Sequence, residues 1–218
     1  MRVKAFLFFT VSSFFLATSV FGQMTAGEII KKSWDTYSSG VSSEIETLES
    51  TLVQGGRQQK KVSIRETRFL SEGKEIKVSF LSPTSDVGTE MRIIQKQNFP
   101  DVIYLKMKSW NKERRISGSQ LASPFLWEIT REDVGMLSGE NTNDFNYSLA
   151  TESEVAWVIQ ALPKSRIESN YSERKLWVDK KSLAIIRVEY YKNNELEKVQ
   201  EATGDPQAIN AVGAWRVD

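Results

Sequence analysis

The side chains that most often carry out enzyme chemistry are scarce in this sequence. It contains no histidine and no cysteine, which removes the usual general base, the usual metal ligands and every Ser-His or Cys-His pair. Two carboxylate pairs remain, Glu44 with Glu46 and Glu132 with Asp133, and such pairs can transfer protons or bind a hard metal ion. Neither pair has a nucleophile or a fuller ligand set around it, so we expect no catalytic residue, no metal and no cofactor.

Apolar side chains are the better candidates for function. Six tryptophans and five methionines could line a hydrophobic cavity, because Met adapts to variable ligands and Trp offers a large apolar area. Ordinary core packing explains the same residues, and a cavity wall and a core face look identical in sequence. The candidates on predicted helix or strand faces are Trp34, Phe80, Met91, Ile93 and Trp157.

Two further groups extend this predicted cavity. Tyr104, Met107 and Trp110 lead into the basic residues Arg114 and Arg115, as at an opening that meets lipid head groups or an acidic partner. A solvated strand end would show the same charges.

A second group could form a movable lid. Trp127 precedes a predicted short helix at residues 130–137, in which Val134 and Leu137 would face inward and Gly135 would weaken the helix. A fixed helix that packs beside the sheet is the alternative.

Hydrophobic periodicity assigns these residues to one long helix and many strands. Thr25 and Glu28 have the spacing of a capping box, and apolar residues then recur at helical intervals up to Gly40. The period changes to two from about residue 44, which indicates half-buried strands joined by short turns such as 179–182 and 193–194. The strands are expected near residues 45–53, 62–70, 75–80, 90–93, 101–108, 112–117, 144–150, 154–162, 172–179, 183–192 and 195–203. We therefore predict an α+β fold, a curved antiparallel sheet that forms an unclosed barrel, with the N-terminal helix and the short helix covering its concave side.

The N-terminus has the features of a cleavable signal peptide. Arg2 and Lys4 precede an apolar stretch, and small residues lie before a predicted cut after Gly22. Residues 23–218 are then expected to form one exported domain, with 27 basic and 28 acidic residues. This near-neutral balance makes nucleic acid an unlikely partner by charge alone. The absence of cysteine argues against a lipid-modified N-terminus.

Three segments together resemble a known family. They are FLSPTSDVGTEM at residues 80–91, YLKMKSWNKERRIS at 104–117 and SPFLWEITREDV at 123–134. Their order is similar to that of the outer-membrane lipoprotein-sorting proteins of the LolA/LolB-like branch, and residues 174–198 resemble the paired C-terminal strands of that family. The matching residues are Pro83, Gly88, Tyr104, Arg114, Arg115, Ile116, Phe125 and Asp133. The family commonly has Gly-Ser where this chain has Leu126-Trp127, and it continues with another strand after Trp215, so we expect an open sheet edge here.

The resemblance implies a monomeric periplasmic carrier whose hydrophobic cavity shields acyl chains of lipoproteins or lipids between the inner and the outer membrane. An RND-type or ABC-type inner-membrane transporter and an outer-membrane acceptor would be its partners. Phe125 would line the cavity with the residues named above. The alternative keeps the fold but makes the protein a periplasmic adaptor of a transporter that carries no lipid, and an envelope hydrolase is the third and weakest hypothesis.

Overall fold

The computed structural model describes residues 24–54, 57–96, 99, 101–116, 139–167 and 169–217. Within these residues the chain forms one long helix, α1 (Ala26–Ser38), one 3-10 helix (Thr142–Asp144) and thirteen strands. The strands are β1 (Ser43–Gln54), β2 (Arg57–Leu70), β3 (Gly73–Ser82), β4 (Glu90–Lys96), β5 (Val102–Lys106), β6 (Arg114–Ile116), β7 (Phe145–Glu152), β8 (Ala156–Pro163), β9 (Glu173–Asp179), β10 (Ile185–Lys192), β11 (Glu195–Glu201), β12 (Gln207–Ala208) and β13 (Trp215–Arg216). A strand lies at every position where periodicity predicts one.

Helix α1 begins at the predicted capping box. The Thr25 amide donates to the Glu28 carboxylate at 2.8 Å, and the Glu28 amide donates to the Thr25 hydroxyl at 3.3 Å. These two bonds satisfy amide groups that a helix N-terminus otherwise leaves without partners. The helix ends before Gly40, whose φ of +70° suits glycine. Its buried stripe consists of Ala26, Ile29, Ile30, Ser33, Trp34 and Tyr37.

Two antiparallel sheets carry the rest of the described chain. The first has the order β1-β2-β3-β4-β5-β6 and the second has the order β11-β10-β9-β8-β7. Each strand pairs with its neighbour in sequence, because short turns join them. The β10–β11 turn places Asn193 and Asn194 at φ of 50° and 68°, the left-handed region that Asn tolerates. In the β9–β10 turn the Asp179 carboxylate accepts from the Ser182 amide at 2.6 Å.

Helix α1 packs on the second sheet. Ile29, Ile30 and Trp34 share one buried cluster with residues of that sheet, including Leu176 and Tyr190. The short β12–β13 hairpin completes the cluster. Its residue Trp215 packs 4.9 Å from the Tyr37 ring and 5.9 Å from the Trp34 ring, centroid to centroid. The Trp215 indole N–H donates to the Ser33 carbonyl at 3.2 Å.

The structure confirms the predicted fold class. Antiparallel strands dominate, the N-terminal helix lies against them, and β1 to β6 form a sheet separate from β7 to β11 across the described residues. The predicted signal peptide and the short helix at 130–137 lie outside those residues. No helix in the described part of the chain is long and apolar enough to cross a membrane.

Replacing Trp215 with Ala should lower the free energy of unfolding by about 3–5 kcal/mol, because a large side chain is lost from a packed aromatic cluster. Urea unfolding monitored by circular dichroism would measure the loss. Ile209→Ala, at a residue of the same hairpin that is 51% exposed, is the control and should change stability by less than about 0.5 kcal/mol. Equal effects of the two substitutions would contradict the role given to Trp215.

Candidate binding surface on the inner face of the first sheet

One face of the first sheet carries a continuous apolar surface. Alternate residues of β3, β4 and β5 point to this face, and six apolar residues among them are at most 6% exposed. They form a buried cluster that is separate from the cluster around α1, with Leu105 packed against it. The cluster consists of Ile76, Val78, Phe80, Met91, Ile93 and Ile103. We call this face the inner face, because its residues Glu44 and Phe69 contact Tyr37 of α1.

The inner face becomes polar on β2, next to the apolar strands. Lys61, Ser63, Arg65 and Thr67 alternate along β2 and are all at most 5% exposed. We call these four residues the β2 polar row. They sit beside the apolar cluster in the register Ser63–Phe80, Arg65–Val78 and Thr67–Ile76. The inner face is therefore amphipathic, with an apolar half and a buried polar half side by side.

Half-buried acids on neighbouring segments pair with the two cations of the β2 polar row. Lys61 Nζ lies 2.7 Å from an Asp86 carboxylate oxygen. Arg65 Nη2 pairs with Glu46 and lies 3.7 Å from Glu44 Oε1. Such pairing is required, because removing charges from water costs several kcal/mol per ion unless partners compensate.

Glu44 connects this row to the helix and to the last hairpin. Its carboxylate also pairs with Arg216 on β13 and accepts a hydrogen bond from the Tyr37 hydroxyl at 2.7 Å. Burial, together with the Glu44 charge, raises the pKa of Tyr37 to about 12 although Arg65 and Arg216 oppose the shift. Tyr37 therefore stays a neutral hydrogen-bond donor at physiological pH.

A second polar cluster lies where the two sheets approach each other. Glu140 accepts from Arg174 at 2.6 Å and from the Tyr147 hydroxyl at 2.9 Å. Both partners belong to the second sheet, while Lys74 of the first sheet contributes its charge to the same region. Gly139 allows this approach, because a Cβ there would lie 3.2 Å from Lys74 Nζ and 3.4 Å from the Trp34 ring.

The comparisons with known proteins agree with this architecture. Residues 72–217, more than half of the chain, match a family model described as "Uncharacterized protein". The chain belongs to this family. No curated protein matches it in sequence.

Three solved structures have a fold similar to that of this protein. A putative outer membrane lipoprotein-sorting protein domain from Vibrio parahaemolyticus is 19% identical, with 88% of this chain and 82% of that chain covered and a TM-score of 0.76. A DUF1329 family protein from Desulfovibrio piger is 20% identical, with 86% and 83% covered and a TM-score of 0.70. A LolA superfamily protein from Nitrosomonas europaea is 17% identical, with 89% and 83% covered and a TM-score of 0.63. The resemblance to LolA-like proteins is confirmed as a shared fold.

Nine of the twelve predicted cavity residues fall into three groups. Phe80, Met91 and Ile93 lie together on the apolar half of the inner face. Trp34 lies in the cluster around α1, and Trp157 packs half-buried against that cluster. Four others lie outside the described residues, so their roles stay predictions: Phe125, Trp127, Val134 and Leu137.

The other three predicted cavity residues also lie away from the inner face. Tyr104 points to the opposite face of β5 from Ile103, and the Arg92 guanidinium covers its ring at 4.4 Å. Met107 is exposed in the turn after β5, and Trp110 lies under the Arg114 guanidinium at 4.3 Å. Tyr104 points outward because a strand sends successive side chains to opposite faces. A binding role for these three residues stays a prediction, and the candidate surface described here does not include them.

The basic pair predicted to meet a partner is accessible. Arg114 and Arg115 are both exposed on β6. Stacking on Trp110 holds the Arg114 guanidinium at the surface. Their role as a contact for a partner or for head groups stays a prediction.

An open groove of about 560 Å³ lies on the other side of the second sheet, away from α1. Half of its lining residues are charged, among them Asp179, Arg187, Glu189 and Glu201, and apolar residues such as Trp177 and Pro206 line the rest. It was not anticipated from the sequence, and its acidic wall does not suit an acyl chain.

The β2 polar row was also missed, because the sequence pattern favours the opposite orientation. Val62 and Ile64 alternate with the row and would be expected inside, yet they are half-buried on the outer face. The sequence did contain one signal for an inward Arg65. Glu44 and Glu46 lie directly across from Thr67 and Arg65 in the β1–β2 hairpin, so acids are available as partners.

The lowered pKa of Lys74 predicts that the free energy of unfolding depends on pH. Burial lowers its pKa from 10.5 to about 7, aided by Arg65 and opposed by Asp101, Glu140 and Glu44. The unfolded chain then binds one more proton than the folded chain between about pH 7 and 10, so the free energy of unfolding rises with pH in this window. Because the Lys74 side chain as a whole is only half-buried, we expect a slope of roughly 0.5–1 kcal/mol per pH unit.

The test compares urea unfolding at pH 6, 7, 8 and 9 for the wild type, Lys74→Met and Lys77→Met. Lys74→Met should lose the rise above pH 7. Lys77 lies on the outer face of the same strand with 40% of its side chain exposed, so Lys77→Met should retain the rise. Parallel curves for all three proteins would contradict the lowered pKa.

Proposed function

We propose that this protein is a soluble periplasmic carrier that binds acyl chains of lipoproteins or lipids and moves them from the inner towards the outer membrane. The observation that carries the proposal is the apolar half of the inner face. It spans three neighbouring strands and forms a cluster of its own, apart from the packing of α1 on the second sheet. The side chains of this cluster are at most 6% exposed, so the proposal requires the inner face to become accessible when cargo binds.

The energetics favour such a surface for acyl cargo. Each methylene of an acyl chain costs about 0.8 kcal/mol when it moves from an apolar environment into water. A carrier must therefore cover most of the chain with apolar side chains, and Val78, Phe80 and Met91 provide them in adjacent register positions. Met91 adds a flexible side chain that adapts to different chains.

Two further observations support the cellular setting. The N-terminal sequence has the charge and hydropathy of a signal peptide, which favours export. The fold is shared with a putative outer membrane lipoprotein-sorting domain and with a LolA superfamily protein. We accordingly expect the protein to act as a monomer between an RND-type or ABC-type inner-membrane transporter and an outer-membrane acceptor, by binding and without catalysis.

Saturable binding of a fluorescent sixteen-carbon acyl probe to delipidated protein, at micromolar concentrations, tests the proposal. Met91→Glu should weaken binding at least tenfold, because an ionised carboxylate on the apolar face opposes apolar cargo. Met91→Leu, which conserves volume, should bind as the wild type does. Leu81→Glu is the matched control, since Leu81 is adjacent to Phe80 but is 50% exposed.

Circular dichroism of each variant separates loss of binding from loss of folding. A flat titration with the folded wild type would refute the carrier function. Normal probe uptake by folded Met91→Glu would show that the acyl chain does not bind on the apolar half of the inner face.

The adaptor hypothesis rests on a different observation, the exposed pair Arg114 and Arg115 on β6. If the protein carries no lipid and only binds a transporter, the double change Arg114→Glu and Arg115→Glu should abolish co-purification with inner-membrane proteins, because it reverses the charge of the contact. Under the carrier hypothesis the same variant should keep its acyl-probe affinity within twofold. Lys112→Glu, an exposed residue in the preceding turn, is the control for a general charge effect.

A further inference from the structure

Arg65 has hydrogen-bond donors that the described protein groups do not use. The side chain is 1% exposed, and its Nε and Nη1 atoms have no hydrogen-bond partner among the residues that the structure describes. The hydroxyl of Thr67, also 1% exposed, has none either. A buried donor without an acceptor costs about 1–3 kcal/mol, so three such groups within two residues of one strand favour a bound acceptor.

The neighbouring acids do not supply that acceptor. Glu46 engages Nη2 of Arg65 only, and Glu44 is 3.7 Å from the same nitrogen. Glu44 is also shared with Arg216 and the Tyr37 hydroxyl. Both acids lie on β1, on one side of β2, so the acids described here leave the other donors of Arg65 available.

The other side of β2 is the apolar half of the inner face. Arg65 pairs with Val78 and Thr67 pairs with Ile76, both members of the apolar cluster. Adjacent strands lie about 4.8 Å apart, so the free donors and the apolar surface are within one strand spacing. This places an anion-binding group at the side of a surface that suits an alkyl chain.

We propose that Arg65 and Thr67 bind the anionic head group, a phosphate or a carboxylate, of an acyl amphiphile whose chain lies on the apolar half of the inner face. A guanidinium is well suited to this task, because its planar donors match the oxygens of both groups. The proposal rests on the carrier function proposed above and adds a class of cargo to it. A site of this kind would bind acidic amphiphiles more tightly than neutral ones of the same chain length.

The test uses a matched pair of ligands, 1-palmitoyl lysophosphatidic acid and 1-palmitoyl glycerol, which differ only in the phosphate. Each competes with the fluorescent acyl probe on the wild-type protein at low salt. The phosphorylated ligand should compete at least tenfold more tightly than the neutral one. Inorganic phosphate alone, at up to 10 mM, should not displace the probe.

The matched variants separate a loss of head-group binding from a loss of folding. Arg65→Met alone would leave Glu46 without its cation, so the double variant Arg65→Met with Glu46→Gln is used, and Arg187→Met on the other sheet is the control. In the double variant the preference for the phosphorylated ligand should fall below threefold, while the affinity for 1-palmitoyl glycerol should stay within twofold. The control should keep the full preference.

The outcomes distinguish the two proposals. Equal binding of both ligands by the wild type would overturn the head-group site and leave the carrier function standing. Binding of neither ligand would overturn the carrier function itself. Binding of inorganic phosphate as tight as that of the phosphorylated ligand would overturn the inference in favour of a free-anion site. An unchanged preference in the folded double variant would remove Arg65 from the site.

Discussion

The ion-pair network around Glu44 and Arg65 is the constraint on which the rest of the structure depends. It joins β1 and β2 to α1 through Tyr37 and to the last hairpin through Arg216. Charged groups remain in a protein interior only when partners compensate for the lost hydration. Through Glu44, these contacts therefore tie α1, which packs on the second sheet, and the C-terminal hairpin to the charges that β2 turns inward.

The two halves of the inner face are stabilised by different chemical groups. The apolar half gains stability from any shape-complementary partner, whereas the β2 polar row gains only from groups that supply acceptors in the right place. For the proposed cargo, such a surface would discriminate among ligands by their polar ends and tolerate variation in their alkyl parts. Selectivity and capacity would then come from different strands of one sheet.

Local signals in the sequence were sufficient for the elements of the fold. The capping box at Thr25, the turn residues Asn193 and Asn194, and the period of two along β3 each act over a few residues, so they could be read without tertiary information. The candidate binding surface was predictable only in part. Which face of a strand points inward depends on the strands and ion pairs beside it, so the inward turn of the β2 polar row could not be predicted from the pattern of β2 alone.

The contacts of the last hairpin have a consequence for biogenesis. Arg216 meets Glu44 across 172 residues, and Trp215 meets Ser33 across 182 residues. Contacts of such sequence separation form slowly, because much of the chain must be ordered first. During synthesis α1 and β1 are made first and the last hairpin is made last, so the contacts of Ser33 and Glu44 with that hairpin cannot form until residue 216 has been added.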